Sequence, residues 1–299
     1  SMTIMARDAD TGMAKRFYQM TPHDEWDYDG VNEMILTDQQ FDGKDRKLLT
    51  HFDRNGFGYT LDRETGELLV AKKFDPAVNW ATEVNMDPSS DQYGRPQVVA
   101  EYSTEQNGED VNSTGICPAA LGSKDQQPAA YSPETGLFYV PANHWKEDYW
   151  TEEVTYKKGA AYLGQGFRIK RMYDDHVGVL RAMNPLTGKI EWEHKEKMPL
   201  WAGVLTTEGG LVFTGTGDGF LKAFDAQTGE ELWKFQTGSG IISSPITWEM
   251  DGEQYVGVAS GYGGAVPLWG GDMAELTKPI SQGGSFWVFK LPSWAQASR

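Results

Sequence analysis

The chain has a single cysteine, Cys117, in 299 residues. One thiol excludes an intrachain disulfide and every metal site built on cysteine pairs, and it leaves the compartment open. No run of about 18 apolar residues occurs, so no helical membrane span is expected. Positive charge is short as well: 27 Lys and Arg stand against 43 Asp and Glu, a formal net charge of −16. That balance argues against nucleic acid and anionic membrane surfaces as partners. The opening stretch "SMTIMARDADTG" shows no leader pattern, and no signal peptide is expected in it.

What is abundant points to β structure. There are 34 Gly and 11 Trp, and 12% of residues are aromatic, a composition of tight turns and flat packing surfaces. A repeat organises them. "AFDAQTGEELW" (223–233) and "AMNPLTGKIEW" (182–192) match without a gap. "ARDADTGMAKR" (6–16) and "TLDRETGELLV" (60–70) keep the acid and the Thr-Gly pair, and "YSPETG" (131–136) is a fainter copy. Asp or Asn with Thr-Gly supplies a tight turn, and alternating runs such as "FLKAFD" and "ELWKFQT" read as the hairpin strands beside it. A further hairpin is expected around Asp251-Gly252. Four-stranded units repeating about every 40 to 70 residues predict a β-propeller, with Trp192 and Trp233 packing between blades.

"DEWDYDG" (24–30) crowds four acids around two aromatics. Like charges this close repel unless water or a cation offsets them. An EF-hand loop is excluded, because its twelfth position falls on Leu36 and no helix pair flanks it. In an extended segment Asp27 and Asp29 share one side and Trp26 and Tyr28 the other. Two adjacent carboxylates then make half of a hard-oxygen cation site, the alternative being a solvated acidic turn.

Beyond these patterns, "TGMAKRFYQMTPHDEWDYDGVNEMIL", "HFDRNGFGYTLDRETG", "GICPAALGSKDQQPAAYSPETGLFYVPANH" and the run from "MPLWAGVL" to "GSGIISSPI" resemble the C-terminal half of quinoprotein methanol dehydrogenases. The resemblance covers essentially the whole chain, 1–299. It implies an all-β, eight-bladed propeller in the full protein, about four blades of it here, each a four-stranded meander. It also implies pyrroloquinoline quinone (PQQ) and a metal ion on the axis, a primary alcohol as substrate, a c-type cytochrome as electron acceptor, and a periplasmic location.

Residue by residue, Asp27 matches the family's catalytic aspartate and a metal ligand. Asp29 matches the additional acid of the lanthanide-dependent branch, where the calcium-dependent branch has a small non-acidic residue. The resemblance therefore implies a lanthanide ion, with Ca2+ as the alternative. Arg54 matches the arginine at the quinone oxygens, Asp125 a PQQ-contacting position, Trp201 a tryptophan at the cofactor edge, and Trp269 one at the substrate funnel. The family's N-terminal half, which carries a Glu and an Asn metal ligand, the Trp beneath PQQ and an adjacent cysteine pair, has no counterpart here. Cys117 also lacks the disulfide partner that many relatives have. An incomplete and inactive piece is expected, self-associating as a homodimer through its open faces; the alternative is a non-catalytic half-propeller that serves as a binding scaffold.

Overall fold

The computed structural model describes residues 2–108, 111–160, 162–263 and 269–291. Antiparallel strands dominate. β1 (Thr3–Arg7) and β2 (Ala14–Gln19) form a two-stranded sheet. The first four-stranded blade is β3 (Ile35–Phe41), β4 (Lys44–Phe52), β5 (Phe57–Asp62) and β6 (Leu68–Lys73). β7 (Ala81–Val84) and β8 (Pro96–Val98) pair as a short ribbon, and β9 (Ser113–Ile116) follows.

The second blade begins with β10 (Ala130–Ser132) and β11 (Leu137–Asn143). The chain then leaves it as β12 (Trp145–Thr151) and β13 (Gln165–Arg171), which pair in the order β13-β12-β9, and returns as β14 (Gly178–Asn184) and β15 (Lys189–Glu196). The third blade is β16 (Val204–Thr206), β17 (Leu211–Gly215), β18 (Phe220–Asp225) and β19 (Glu231–Gln236). A three-stranded sheet of β20 (Ile246–Met250), β21 (Glu253–Ser260) and β22 (Ser285–Lys290) ends the order, with the short helix α1 (Gly271–Thr277) between its last two strands.

The expected four-stranded meander is thus uninterrupted in two of the three four-stranded sheets among the described residues. In the second it is interrupted, because the β12–β13 hairpin is spliced between the two middle strands. Interior strands explain their own sequences: β5 is buried throughout, whereas the edge strand β15 alternates between half-buried and exposed.

The repeated turn is the last hairpin of its sheet four times. In each, the acid or amide oxygen caps the turn: Asp62 Oδ1 accepts from the Glu64 and Thr65 amides, both at 2.9 Å, and Asp8, Asn184 and Asp225 do the same. The glycine that closes each turn sits at positive φ. The fainter copy, Ser132–Gly136, instead joins the first two strands of its blade.

Both tryptophans of the repeat lie between sheets. Trp192 of β15 donates its Nε1 to the Ala226 carbonyl of the next blade at 3.0 Å, and the Trp233 ring meets Phe289 of β22 at 5.2 Å. One apolar cluster gathers Trp26, Tyr28, Tyr59, Trp80 and Tyr149, and a second gathers Leu121, Trp145, Ile169, Trp201 and Met273.

Candidate cation and cofactor site

The four acids of residues 24–29 divide into two builders and two that remain free to bind. Asp24 accepts from the backbone N–H of Trp26 at 3.0 Å and of Tyr28 at 2.8 Å, tying the loop into a tight curl. Glu25 Oε2 accepts from the Ser103 hydroxyl at 2.7 Å and from the amides of Thr104 and Glu105 at 2.5 and 3.1 Å, pinning the loop to a distant segment. Trp26 and Tyr28 turn inward, stacked with ring centroids 5.6 Å apart and both packed on Trp80. The Tyr28 hydroxyl donates to the Pro118 carbonyl at 2.8 Å, and the Trp26 indole donates to the Tyr102 carbonyl at 2.7 Å.

Asp27 and Asp29 are left together on the exposed side. The reason differs from the one expected. Residues 24–30 are not an extended strand, and Asp27 adopts a left-handed φ of 64°. The curl imposed by Asp24, anchored by two buried aromatics, produces the facing that strand alternation predicted. Aspartate is among the few residues that tolerate this conformation.

Arg54, in the turn between β4 and β5, reaches the same spot. Its Nη1 donates to the Asp29 carbonyl at 3.3 Å and lies 3.6 Å from the Asp29 carboxylate. Close backbone approach holds it there: a Cβ on Gly122 would stand 2.3 Å from Arg54 Cγ, so only glycine fits. The Ser123 amide then donates to the Arg54 carbonyl at 3.1 Å. Asp27 is pushed up to about 7, first by partial withdrawal from water and then by the Asp29 carboxyl beside it, with the Arg54 charge opposing. Two acids that resist ionising together are primed for a cation.

The remaining expected residues have partners of their own. The Asp125 amide donates to Gln127 Oε1 at 3.2 Å, and its carbonyl accepts from Lys124 Nζ at 3.2 Å. Trp201 is buried and Trp269 half-buried in one apolar cluster, with Trp269 6.1 Å from Phe167. Cys117 is a free, buried thiol 3.7 Å from the Met172 sulfur.

Sequence reading missed Asn32, Glu33, Lys124, Gln127 and Glu147. Lys124, fully buried, donates to Glu33 Oε2 at 2.7 Å, and Glu33 Oε1 accepts from the Ala129 amide at 2.8 Å. The signal was available, since Asn32 and Glu33 directly follow the acidic cluster and Lys124 and Gln127 flank Asp125.

Several buried polar atoms of the expected residues and their sequence neighbours have no protein partner: Arg54 Nε, Asn32 Oδ1, Gln127 Nε2 and Trp201 Nε1. Buried donors left open are costly, and they fit a bound polar group better than they fit a sealed core. Arg54 Nε, Gln127 Nε2 and Trp201 Nε1 are N–H donors, which suits an anionic quinone such as PQQ, while Asp53 Oδ2 and both Glu147 carboxyl oxygens are unpartnered acceptors. The carboxylates of Asp27 and Asp29 suit a hard cation and supply at most about four of the six or more oxygens that a large one takes.

The family model described as the β-propeller domain of PQQ glucose/ethanol/alcohol dehydrogenases matches residues 1–92 and 167–256, more than half of the chain. The chain is 62% identical over 291 residues to a quinoprotein ethanol dehydrogenase of Pseudomonas putida, covering 96% of this chain and 46% of that protein. It is 58% identical over 309 residues to a lanthanide-dependent methanol dehydrogenase of Methylorubrum extorquens, covering 98% and 51%. Among solved structures, a europium-containing methanol dehydrogenase superposes with a TM-score of 0.87 at 45% identity, covering 97% of this chain and 53% of that one. The chain spans about half the length of the curated relatives it matches.

Proposed function

Because the chain belongs to the β-propeller family of PQQ-dependent glucose/ethanol/alcohol dehydrogenases, we propose that it serves as the C-terminal part of an enzyme oxidising primary alcohols to aldehydes. The observation that carries this reading is the joint placement of Asp27, Asp29 and Arg54, with the buried Arg54 Nε and Asn32 Oδ1 left without partners. Relatives of similar identity are named for ethanol and for methanol, which supports primary alcohols as the substrate class.

PQQ, when bound, supplies the two-electron acceptor. This chain's residues contribute proton transfer and fixed charge. Asp27 takes the proton of the alcohol hydroxyl as general base while the neighbouring C–H bond gives up its hydride. A cation beside Asp27 lowers its basicity, so proximity to the hydroxyl has to compensate. Arg54 places fixed positive charge where oxyanion character develops. Asp27 and Asp29 would hold the cation, and Asn32, Gln127, Trp201 and Asp125 would position the cofactor, with Trp269 over the substrate entrance.

A lanthanide is the proposed ion, with Ca2+ as the alternative. Asp29 adds an anionic oxygen that a trivalent ion rewards more than a divalent one. A c-type cytochrome as electron acceptor and a periplasmic setting complete the reading. Expressed by themselves, these 299 residues should show no appreciable turnover and should self-associate. Ile246, Phe286 and Val288 on the last sheet and Leu232 on β19 are each about half exposed.

The test is dye-linked oxidation of ethanol and methanol by the full-length enzyme reconstituted with PQQ and La3+ or Ca2+. Turnover dependent on both additions supports the reading, and none with any combination overturns it.

A further inference from the structure

Asp75, just after β6, is a wholly buried carboxyl that the proposed chemistry does not use. Its Oδ2 accepts from the Ser123 hydroxyl at 2.7 Å, and its Oδ1 accepts from the Ala77 amide at 3.1 Å. His144 Nε2 lies 3.1 Å and Arg181 Nη1 3.4 Å from the same Oδ1. Behind His144 the contacts run to the surface: His144 Nδ1 is 3.0 Å from His176 Nε2, and His176 Nδ1 is 2.7 Å from the exposed Asp175 carboxylate. Burial works against the charge of Asp75, but His144, Arg181 and Ser123 outweigh it and hold the carboxyl well below the usual carboxylate range.

The Ser123 bond leads to the candidate site. The Ser123 amide donates to the Arg54 carbonyl at 3.1 Å, so Ser123 joins Asp75 by its side chain and Arg54 by its backbone. The Asp75 segment also reaches the β4–β5 turn directly: the amides of Phe74 and Asp75 donate to the Gly56 carbonyl at 3.1 and 3.4 Å. These approaches leave little slack. A Cβ on Gly122 would stand 2.7 Å from the Arg54 carbonyl oxygen, and one on Gly56 would stand 3.0 Å from Ser123 Oγ. Arg54 is therefore gripped between residues 53–56 and 122–123, and Asp75 is bonded to both stretches. With Nε unpartnered and Nη1 no closer than 3.3 Å to Asp29, the guanidinium takes its aim from how its backbone is held.

We propose that Asp75 is a positioning residue that acts through Ser123 to set the place of Arg54. The role rests on the reading of Arg54 as the fixed charge where oxyanion character develops. Such a charge is effective only if it stands at the right point before the reaction begins. A buried carboxylate bonded at both oxygens is a rigid anchor for it. A misplacement of about 1 Å costs on the order of a hundredfold in rate. Loss of the Ser123 hydroxyl alone, which leaves the amide bond to Arg54 possible, should cost about tenfold.

The experiment uses the full-length enzyme with Ser123→Ala, Asp75→Ala, Arg54→Gln and the double variant of Ser123→Ala with Arg54→Gln. Reconstituted with PQQ and La3+, Ser123→Ala and Asp75→Ala should each lose about tenfold in kcat, with KM little changed. In the Arg54→Gln background Ser123→Ala should cost less than about twofold, because no charge is left to misplace. A merely structural role would cost the same in both backgrounds, and equal losses overturn the proposal. If Asp75→Ala fails to fold, Ser123→Ala, which removes one hydroxyl, carries the test. Amide hydrogen exchange of the cofactor-free protein reads the link without turnover. The amide at position 123 should exchange about tenfold or more faster in both single variants than in the parent, while the amides of β17 and β18 keep their rates. An unchanged rate at position 123 overturns the proposal, whatever the activities. Loss of all alcohol oxidation in the parent counts against the proposed function alone, because exchange at position 123 still reports on the link from Asp75 to Arg54.

Discussion

Arg54 holds Asp29 at two points, by a hydrogen bond to its carbonyl at 3.3 Å and by an ion pair to its carboxylate at 3.6 Å. The pair ties the acidic loop to the β4–β5 turn and balances part of the charge that Asp27 and Asp29 concentrate. With a cation bound, Asp29 shares its charge between two positive partners.

Removing Asp29 should therefore discriminate between metals. In the full-length enzyme Asp29→Ala is expected to weaken lanthanide-supported activity by about tenfold or more and calcium-supported activity less. Titrating each metal into the PQQ-loaded variant checks this. Equal losses for both metals would contradict the role given to Asp29.

Cation binding should release a proton. Asp27 sits at about 7, so below that pH the Asp27–Asp29 pair retains a proton that a cation must displace. Apparent affinity is expected to rise with pH up to about 7 and then level off. Calorimetry in buffers of different ionisation enthalpy at pH 6 should show about one proton released per ion. A pH-independent affinity with no buffer dependence would exclude a shared proton.

Asp24 should matter for binding without being a ligand. Asp24→Ala removes acceptors from two backbone amides, at a cost of about 1 to 3 kcal/mol, and loosens the curl that faces Asp27 and Asp29 the same way. Asp24→Asn, which keeps an acceptor oxygen, should be milder. Both thermal unfolding and lanthanide affinity should fall for Asp24→Ala, and affinity unchanged from the parent would show that the loop does not depend on this acid.

The blade-to-blade packing offers a test of the fold. A Cβ on Gly229 would stand 2.6 Å from the Trp192 ring, and Gly229 has a φ of 74°. Gly229→Ala should destabilise by about 1 to 3 kcal/mol, from strain and overpacking together. Trp192→Ala should cost about 3 kcal/mol by emptying the same contact. In the double variant the costs should be less than additive, as chemical denaturation would show.

Much of the fold was legible because the repeat carries its own chemistry. Asp8, Asp62, Asn184 and Asp225 cap turns whose geometry requires a glycine, and those turns fall where the repeat put them. The β12–β13 excursion was not legible, since nothing local distinguishes strands that leave a blade from strands that stay. At the site, the joint facing of Asp27 and Asp29 was readable, but its cause was not. That cause lies in hydrogen bonds from two amides to Asp24 and from Tyr28 to Pro118, 90 positions away. Glu147 was invisible for the same reason: in "NHWKEDYW" it looks like one more surface acid, and only tertiary packing buries it.

The most direct measurement compares the parent enzyme with Asp27→Asn, both full-length, carrying PQQ and a lanthanide, in dye-linked oxidation of ethanol. Parent turnover reduced about a hundredfold or more in Asp27→Asn, with the cofactor's absorbance retained, is the predicted result. Undiminished oxidation by Asp27→Asn would contradict the assignment of this loop as the place where the alcohol gives up its proton.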